Sequence, residues 1–292
     1  MTDPSFDLPP GACDCHTHVF GDPRAFPFAA KRTYTPPEAS ETELLALLDA
    51  LHLERVVIVQ PSVYGTDNRC TVEGMRRLGE RARGVAVIDE RTSETDLDAL
   101  ARAGVRGVRV NLETSGDTDA AAAAARLGAT ARRIAPRGWH VQVYTRLSVI
   151  GALADTIAAL PVPLVVDHFG SARGELGPAQ PGFDALLALV RGGNVYVKLS
   201  GSYRCSTSAP EYPDMAALAR ALIEAGPDRM VWGSDWPHPA HGPAGRPVED
   251  VTPFYVIDDG ALLNQLPVWA PDAAVRRKIL VDNPARLYGF SP

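Results

Sequence analysis

Apolar residues in this chain alternate between two spacings. Arg55-Val56-Val57-Ile58-Val59-Gln60 is an apolar run of the kind found in strands buried on both faces. Just before it, Leu44, Leu45, Leu47, Leu48 and Leu51 recur at helical spacing behind Ser40 and Glu43, a capping-box pair. The same two signals then repeat. Strands are predicted to begin near residues 12, 55, 84, 107, 140, 164, 195 and 230. Helices are predicted over 71–82, 95–103, 183–191, 215–225 and 272–281, with one more ending at Leu160. The run Ala120 to Ala125 reads as helix surface, because alanine is the best helix former.

Eight strands with helices between nearly all of them, in 292 residues, predict a single-domain α/β fold, the (β/α)8 TIM barrel, over 1–292. A doubly wound open sheet is the alternative, but no Gly-x-Gly-x-x-Gly follows any strand. Residues 1–11 read as an irregular lead-in. Residues 21–37 carry Phe26, Phe28 and Tyr34 among several prolines, and a loop of this length predicts a flap over a site.

Composition narrows the classes. The chain is 46% hydrophobic, enough for a large core, and its net charge of -6 comes with no basic tract, which argues against nucleic acid. No apolar stretch approaches membrane-spanning length, and Met1 to Asp7 do not read as a signal peptide. The four cysteines (Cys13, Cys15, Cys70 and Cys205) form no Cys-x-x-Cys, so a reduced, cytoplasmic protein is expected.

The chemistry starts at Asp14-Cys15-His16-Thr17-His18-Val19. Strand alternation predicts Asp14, His16 and His18 on one face and Cys13, Cys15 and Thr17 on the other. Two imidazoles then converge past the strand end, where they suit a metal ion or a carbonyl to be polarised. Barrel sites form at the C-terminal strand ends. Those ends supply Ser62, Arg109, Asn111, Tyr144, Arg146, His168, Lys198, Tyr203, Arg204, Asp235 and His238. Several have a structural explanation of their own. Asp67 and Asn68 suit an Asx turn, and Lys198 suits a paired buried charge. His16, His18, His168 and Asp235 as a set point to a site. Asp235 is the strand-end carboxylate placed to act as a base, and Arg109, Arg146 and Arg204 suit planar carboxylate recognition.

Six segments carry a closer resemblance. They are His16-Thr17-His18-Val19-Phe20, Gly65-Thr66-Asp67-Asn68, Gly138-Trp139-His140, Asp167-His168-Phe169-Gly170, Trp232-Gly233-Ser234-Asp235-Trp236-Pro237-His238 and Asn283-Pro284-Ala285-Arg286-Leu287-Tyr288. In this order they resemble the amidohydrolase superfamily, and within it the 2-pyrone-4,6-dicarboxylate lactonase-like group. The resemblance implies hydrolysis of a small anionic lactone in aromatic-compound catabolism. It implies that Asp235 activates water and that His16, His18 and His168 polarise the carbonyl. Tyr34, Ser62, Arg109, Tyr144 and Arg204 then hold the substrate, and we group strand-end His238 with them. Two departures stand out. The group carries a second arginine soon after the one matching Arg109, whereas residues 112–116 have none and Glu113 would repel an anion. Gly170-Ser171-Ala172-Arg173 also replaces the group's Gly-Arg-Pro. A muconolactone or sugar lactone is therefore the alternative substrate.

The superfamily's metal ligands are incomplete here. Tyr144 stands where a fifth-strand histidine is usual, and Arg109 stands where a bridging group would be. No required cofactor is the expectation, with one Zn or Mn on His16, His18 and Asp235 as the alternative. A metal-dependent decarboxylase and a silent acid-binding barrel are the competing functions. Monomer and homodimer are both open.

Overall fold

Each apolar run singled out above is a strand in the computed structural model, which describes residues 1–112, 120–240, 245 and 247–291. The strands are β1 (Cys13–Thr17), β2 (Arg55–Val59), β3 (Ala82–Ala86), β4 (Val105–Asn111), β5 (His140–Tyr144), β6 (Leu164–Val166), β7 (Val195–Ser200) and β8 (Met230–Gly233). They pair in parallel in the order β1 to β8. The ring is drawn shut where Asp235 N–H donates to His16 O at 2.9 Å and His18 N–H to Trp236 O at 2.8 Å. This is the (β/α)8 barrel. The approach of β8 to β1 requires Gly233, since a Cβ there would lie 2.7 Å from His16 Cβ.

The outer helices follow the pattern with local shifts. Helix α1 (Glu41–Ala50) has the predicted capping box, Ser40 with Glu43. Helix α2 (Arg69–Leu78) stops earlier than expected because Gly79 turns left-handed at φ 62, which lets β3 begin at Ala82. Helix α3 is Glu94–Arg102. The alanine run opens α4 (Ala120–Ile134), but Ala123 is fully buried, so the run is not all surface. The helix expected up to Leu160 is two short ones, α5 (Leu147–Ala152) and α6 (Ala154–Ala158), divided at Leu153. Helices α7 (Phe183–Arg191), α8 (Ser202–Cys205) and α9 (Met215–Ala225) follow. The final helix breaks up into Ala273–Arg277, a π turn and Asn283–Tyr288. No helix among the described residues is long and apolar enough to cross a membrane.

The apolar residues form two layers. Val56, Ile58 and Val197 pack outward against the helices, together with Leu44 and Leu48. Val57, Val59, Val85, Val165 and Val231 form the inner layer, closed by Tyr288 and Phe290. Cys13 and Cys15 belong to that inner layer. This corrects the alternation expected for β1. Its register slips between Asp14 and Thr17, so two residues face one on β2 and the side-chain phase resets. The histidines still converge, but Asp14 does not join them. Its Oδ1 accepts the backbone N–H groups of His16 and Ser234, both at 3.0 Å.

Loop 21–37 is fastened over the barrel mouth. Ala29 N–H donates to Val63 O at 2.7 Å, Thr35 bridges Val251, and Phe28 packs on Tyr64. Glu113 lies outside the described residues.

Candidate active site

Strand geometry builds the site in tiers. Above the apolar layer the inward residues are Gln142 on β5, Asp167 just past β6 and Lys198 on β7. All are fully buried and mutually bonded. Lys198 Nζ donates to Gln142 Oε1 at 2.8 Å, and Gln142 Nε2 donates to Asp167 Oδ2 at 3.1 Å. Arg109 NH2 faces Asp167 Oδ2 at 3.3 Å. Burial raises the Asp167 carboxyl, but His16, Lys198 and Arg109 outweigh burial and hold it well below its ordinary range.

His16 stands on this floor. Its Nδ1 is 3.3 Å from both Lys198 Nζ and Asp167 Oδ1, so one neighbour offers a hydrogen and the other accepts one. An ammonium can only donate, so pairing with a charged Lys198 makes Nδ1 the acceptor and assigns the ring proton of neutral His16 to Nε2. Burial, reinforced by Lys198, lowers this imidazole well below its ordinary value and keeps it neutral. His18 has the opposite tautomer. Its Nδ1 donates to Val59 O at 2.7 Å, which leaves a lone pair on Nε2. Burial lowers its pKa, with Asp235 opposing. His168 Nδ1 meets Ser200 Oγ at 2.9 Å, and burial lowers its pKa to about 4.

Asp235 is the hub. Asp235 and His168 both hold left-handed backbone, φ 68 and φ 48, which turns their side chains from the strand ends into the mouth. Asp235 Oδ2 accepts from Tyr203 OH at 2.7 Å and from Arg204 Nε. Its Oδ1 has no hydrogen-bond donor and faces His16 Nε2 at 3.7 Å and His18 Nε2 at 3.6 Å. Burial raises this carboxyl, but Arg204 first, then the histidines, hold it well below the ordinary range. It is ionised throughout the physiological range.

Above the hub is a pocket, open to solvent, lined by His18, Tyr34, Ser62, Arg109, Tyr144, His168, Arg204 and Asp235. The expected substrate-binding groups Tyr34, Ser62, Arg109, Tyr144 and Arg204 thus come together from five different elements. Burial raises the Tyr34 hydroxyl to about 12, so it stays a neutral donor beside Ser62. His238 is placed differently. Its Nε2 lies 3.1 Å from Asp259 Oδ1 and its ring packs on Tyr203, away from the pocket lining. Arg146 is exposed outside the pocket. Asp67 pairs with Arg69, and Asn68 bonds to Val87 O and Thr66 O, so both serve the turn. Asp167 and Gln142 were not singled out in the sequence as site residues. Their signal was the inward phase, two residues after Val165 and His140.

His16 Nε2, His18 Nε2 and Asp235 Oδ1 are three ligand atoms close enough together to hold one cation. With His16 in its other tautomer, Nδ1–H donating to Asp167, their chemistry fits a single divalent ion such as Zn. His16, Asp167 and His168 form a second such group, with Arg109 facing Asp167.

A (β/α)8 barrel with a buried histidine–aspartate cluster at its C-terminal mouth defines a barrel enzyme of the hydrolytic type. An amidohydrolase family model matches residues 13–290, and the chain belongs to that family. It is 40% identical to 2-pyrone-4,6-dicarboxylate hydrolase of Comamonas testosteroni, over 98% of this chain and 92% of the relative. It is 39% identical to 4-sulfomuconolactone hydrolase of Rhizobium radiobacter, with the same coverage. The crystal structure of an Agrobacterium tumefaciens protein superposes with a TM-score of 0.83 at 28% identity, covering 99% of each chain.

Proposed function

We propose that this chain hydrolyses a small anionic lactone, with Asp235 as general base. The observation that carries this reading is the buried Asp235 Oδ1, without a hydrogen-bond donor, facing His16 Nε2 and His18 Nε2, which we assign opposite tautomers. A water between Asp235 Oδ1 and His18 Nε2 donates one hydrogen to each acceptor, leaving its lone pair for the lactone carbonyl carbon. His16 Nε2–H, with His168, donates to the carbonyl oxygen as it gains charge. This is the kind of preorganised donation that stabilises a tetrahedral oxyanion. The attacking water's proton passes to Asp235. The ring C–O bond then breaks, and the departing oxygen takes that proton, giving the open hydroxy acid or its tautomer.

Arg204 governs the base. Paired with Asp235 it weakens the carboxylate as a proton acceptor. A substrate carboxylate that competes for the guanidinium restores that basicity, so activation waits for the correct anion. Arg109, Tyr34, Ser62 and Tyr144 orient the ring. The two lactone hydrolases at 39–40% identity support this chemistry.

We read the site as working without a metal, and the Lys198 contact favours this by placing a proton on His16 Nε2. The second reading is favoured by the convergence of His16, His18 and Asp235, which would hold one divalent cation. When bound, such an ion would polarise water or carbonyl as a Lewis acid. In that case His16 Nδ1–H would donate to Asp167 instead of Nδ1 accepting from Lys198, which frees Nε2 as a ligand. Hydrolysis of 2-pyrone-4,6-dicarboxylate and of 4-sulfomuconolactone by chelator-treated protein, with zinc and manganese counted per chain, tests both. Full turnover at negligible metal content is expected. Turnover that returns only with about one ion per chain would move the assignment to the second reading. No turnover on any lactone, with or without metal, would remove the lactonase reading.

A further inference from the structure

We propose that His238, anchored by Asp259, is a positioning residue for the Asp235 carboxylate and acts on it through Tyr203. This rests on the lactonase reading and extends it to three residues that do not line the reaction pocket.

The Asp235 side chain is held at one oxygen. Oδ2 accepts from Tyr203 OH at 2.7 Å and from Arg204 Nε, while Oδ1 has no hydrogen-bond donor. The two holds differ in kind. Arg204 is the group that a substrate carboxylate draws away in the lactonase reading. Tyr203 carries no charge for an anion to attract, and burial raises its hydroxyl well above its ordinary value, which keeps it a donor. Tyr203 is therefore the hold that stays on Oδ2 when Arg204 turns to the substrate.

Tyr203 sits on α8, a single four-residue turn, which is too short to fix a long side chain by itself. Its ring is fixed by its neighbours. The Arg204 guanidinium lies 4.9 Å from the ring centroid, Tyr255 lies at 5.5 Å, and the His238 ring meets it at 5.3 Å and 86°, an edge-to-face contact. Arg204 is drawn to the substrate, and Tyr255 is an exposed loop residue. His238 is the buried neighbour, and its place is set twice. Its backbone N–H donates to Asp235 O at 2.8 Å, within the same turn as the base. Its Nε2 lies 3.1 Å from Asp259 Oδ1. Asp259 is the first residue of α10 (Asp259–Leu263), whose start is capped by Asp258.

Packing alone does not account for this pair. A phenylalanine at 238 would cover Tyr203 without setting a carboxylate opposite it, and a buried acid is costly unless it is partnered. Asp259 is nonetheless buried here, facing the imidazole. It holds the ring against rotation, and the ring holds the tyrosine that aims the base.

A double-mutant cycle tests this order of contacts. It uses wild type, Asp259→Asn, Tyr203→Phe and the double variant, on 2-pyrone-4,6-dicarboxylate and 4-sulfomuconolactone. Asp259→Asn is expected to lower kcat about tenfold with KM within about twofold, since a misaimed base slows chemistry more than binding. Tyr203→Phe should lower kcat at least as much. The double variant should be no slower than Tyr203→Phe, because a path already cut at the hydroxyl cannot be cut again. Wild-type kcat in either single variant, a loss confined to KM, or losses that multiply in the double variant overturn the proposal. If Asp259→Asn does not fold, His238→Gln takes its place in the same cycle, with the same outcomes. If wild type opens neither lactone, the lactonase reading fails on its own. Crystal structures of wild type and Asp259→Asn then judge the positioning. A Tyr203–Asp235 hydrogen bond present in wild type and broken in the variant supports it, while a bond kept in both, or absent from wild type, overturns it.

Discussion

Lys198 Nζ lies 3.3 Å from His16 Nδ1 inside the barrel, with both side chains fully buried. Burial lowers the lysine's pKa, and Asp167 beside it opposes that loss. A charged Lys198 makes His16 Nε2 a donor, and without it Asp167 at 3.3 Å would take the Nδ1 proton instead. Lys198→Met should therefore lower kcat on the order of 100-fold, the usual scale for losing an oxyanion donor, with a smaller effect on KM. It should also raise zinc uptake, because Nε2 becomes a lone pair. Removing one partner of buried Asp167 should lower unfolding stability by about 3 kcal/mol. Steady-state kinetics, elemental analysis and denaturant unfolding read all three. Wild-type kcat in this variant would dismiss the tautomer argument.

Asp235→Asn keeps the shape of the hub and its bonds to Tyr203 and Arg204 within reach, but removes the proton acceptor. A loss of turnover of about 10³-fold is expected for a general base, with circular dichroism unchanged. Turnover near wild type would take the base role away from Asp235.

Arg204→Met should act on two readouts. Substrate affinity should weaken by about tenfold, the loss of one charge-assisted contact. The acid limb of kcat should move to higher pH, because Arg204 is the main group holding the Asp235 carboxyl low. An unchanged KM together with an unmoved acid limb would remove Arg204 from both roles.

Stability should fall on acidification through the buried histidines held neutral: burial lowers His16 and His18 as well as His140 and His168. Burial lowers His140 to about 3 and His168 to about 4 from an ordinary 6.5. The folded protein keeps both neutral while the unfolded chain takes up protons, so stability present above pH 6.5 is lost as pH falls toward 4. Asp14 opposes this. Burial raises it to about 7, so the folded state holds its proton and gains stability as pH falls from 7. The net loss between pH 6.5 and 4 should be a few kcal/mol. Asp14→Asn, which can still accept the two backbone N–H groups, should steepen it. Denaturant midpoints across this range measure the effect, and a flat profile in both proteins would contradict the assignment.

Much of this protein is determined by local sequence. The alternation of valine-rich runs with amphipathic helices is enough for the barrel, because strands covered by helices on one side and by each other's inner side chains on the other must be apolar on both faces. The capping box at Ser40 is local and was readable in the chain. So was the gathering of His16, His18, His168 and Asp235, since parallel strands in a closed ring bring their C-terminal ends to one mouth.

What the sequence alone did not decide depends on phase and on long-range contact. The slip in β1 lets His16 face the barrel interior after Cys13 and Cys15 already do, while Asp14 is left as a backbone acceptor, because one extra residue resets alternation for the strand end that follows. The Gln142–Lys198–Asp167 floor joins three strands whose facing residues no local pattern links. The tautomers of His16 and His18, one set by Lys198 and one by Val59 O, come from partners 182 and 41 residues away. Proton position depends on those neighbours, so only the tertiary structure could assign which imidazole gives a hydrogen and which accepts one.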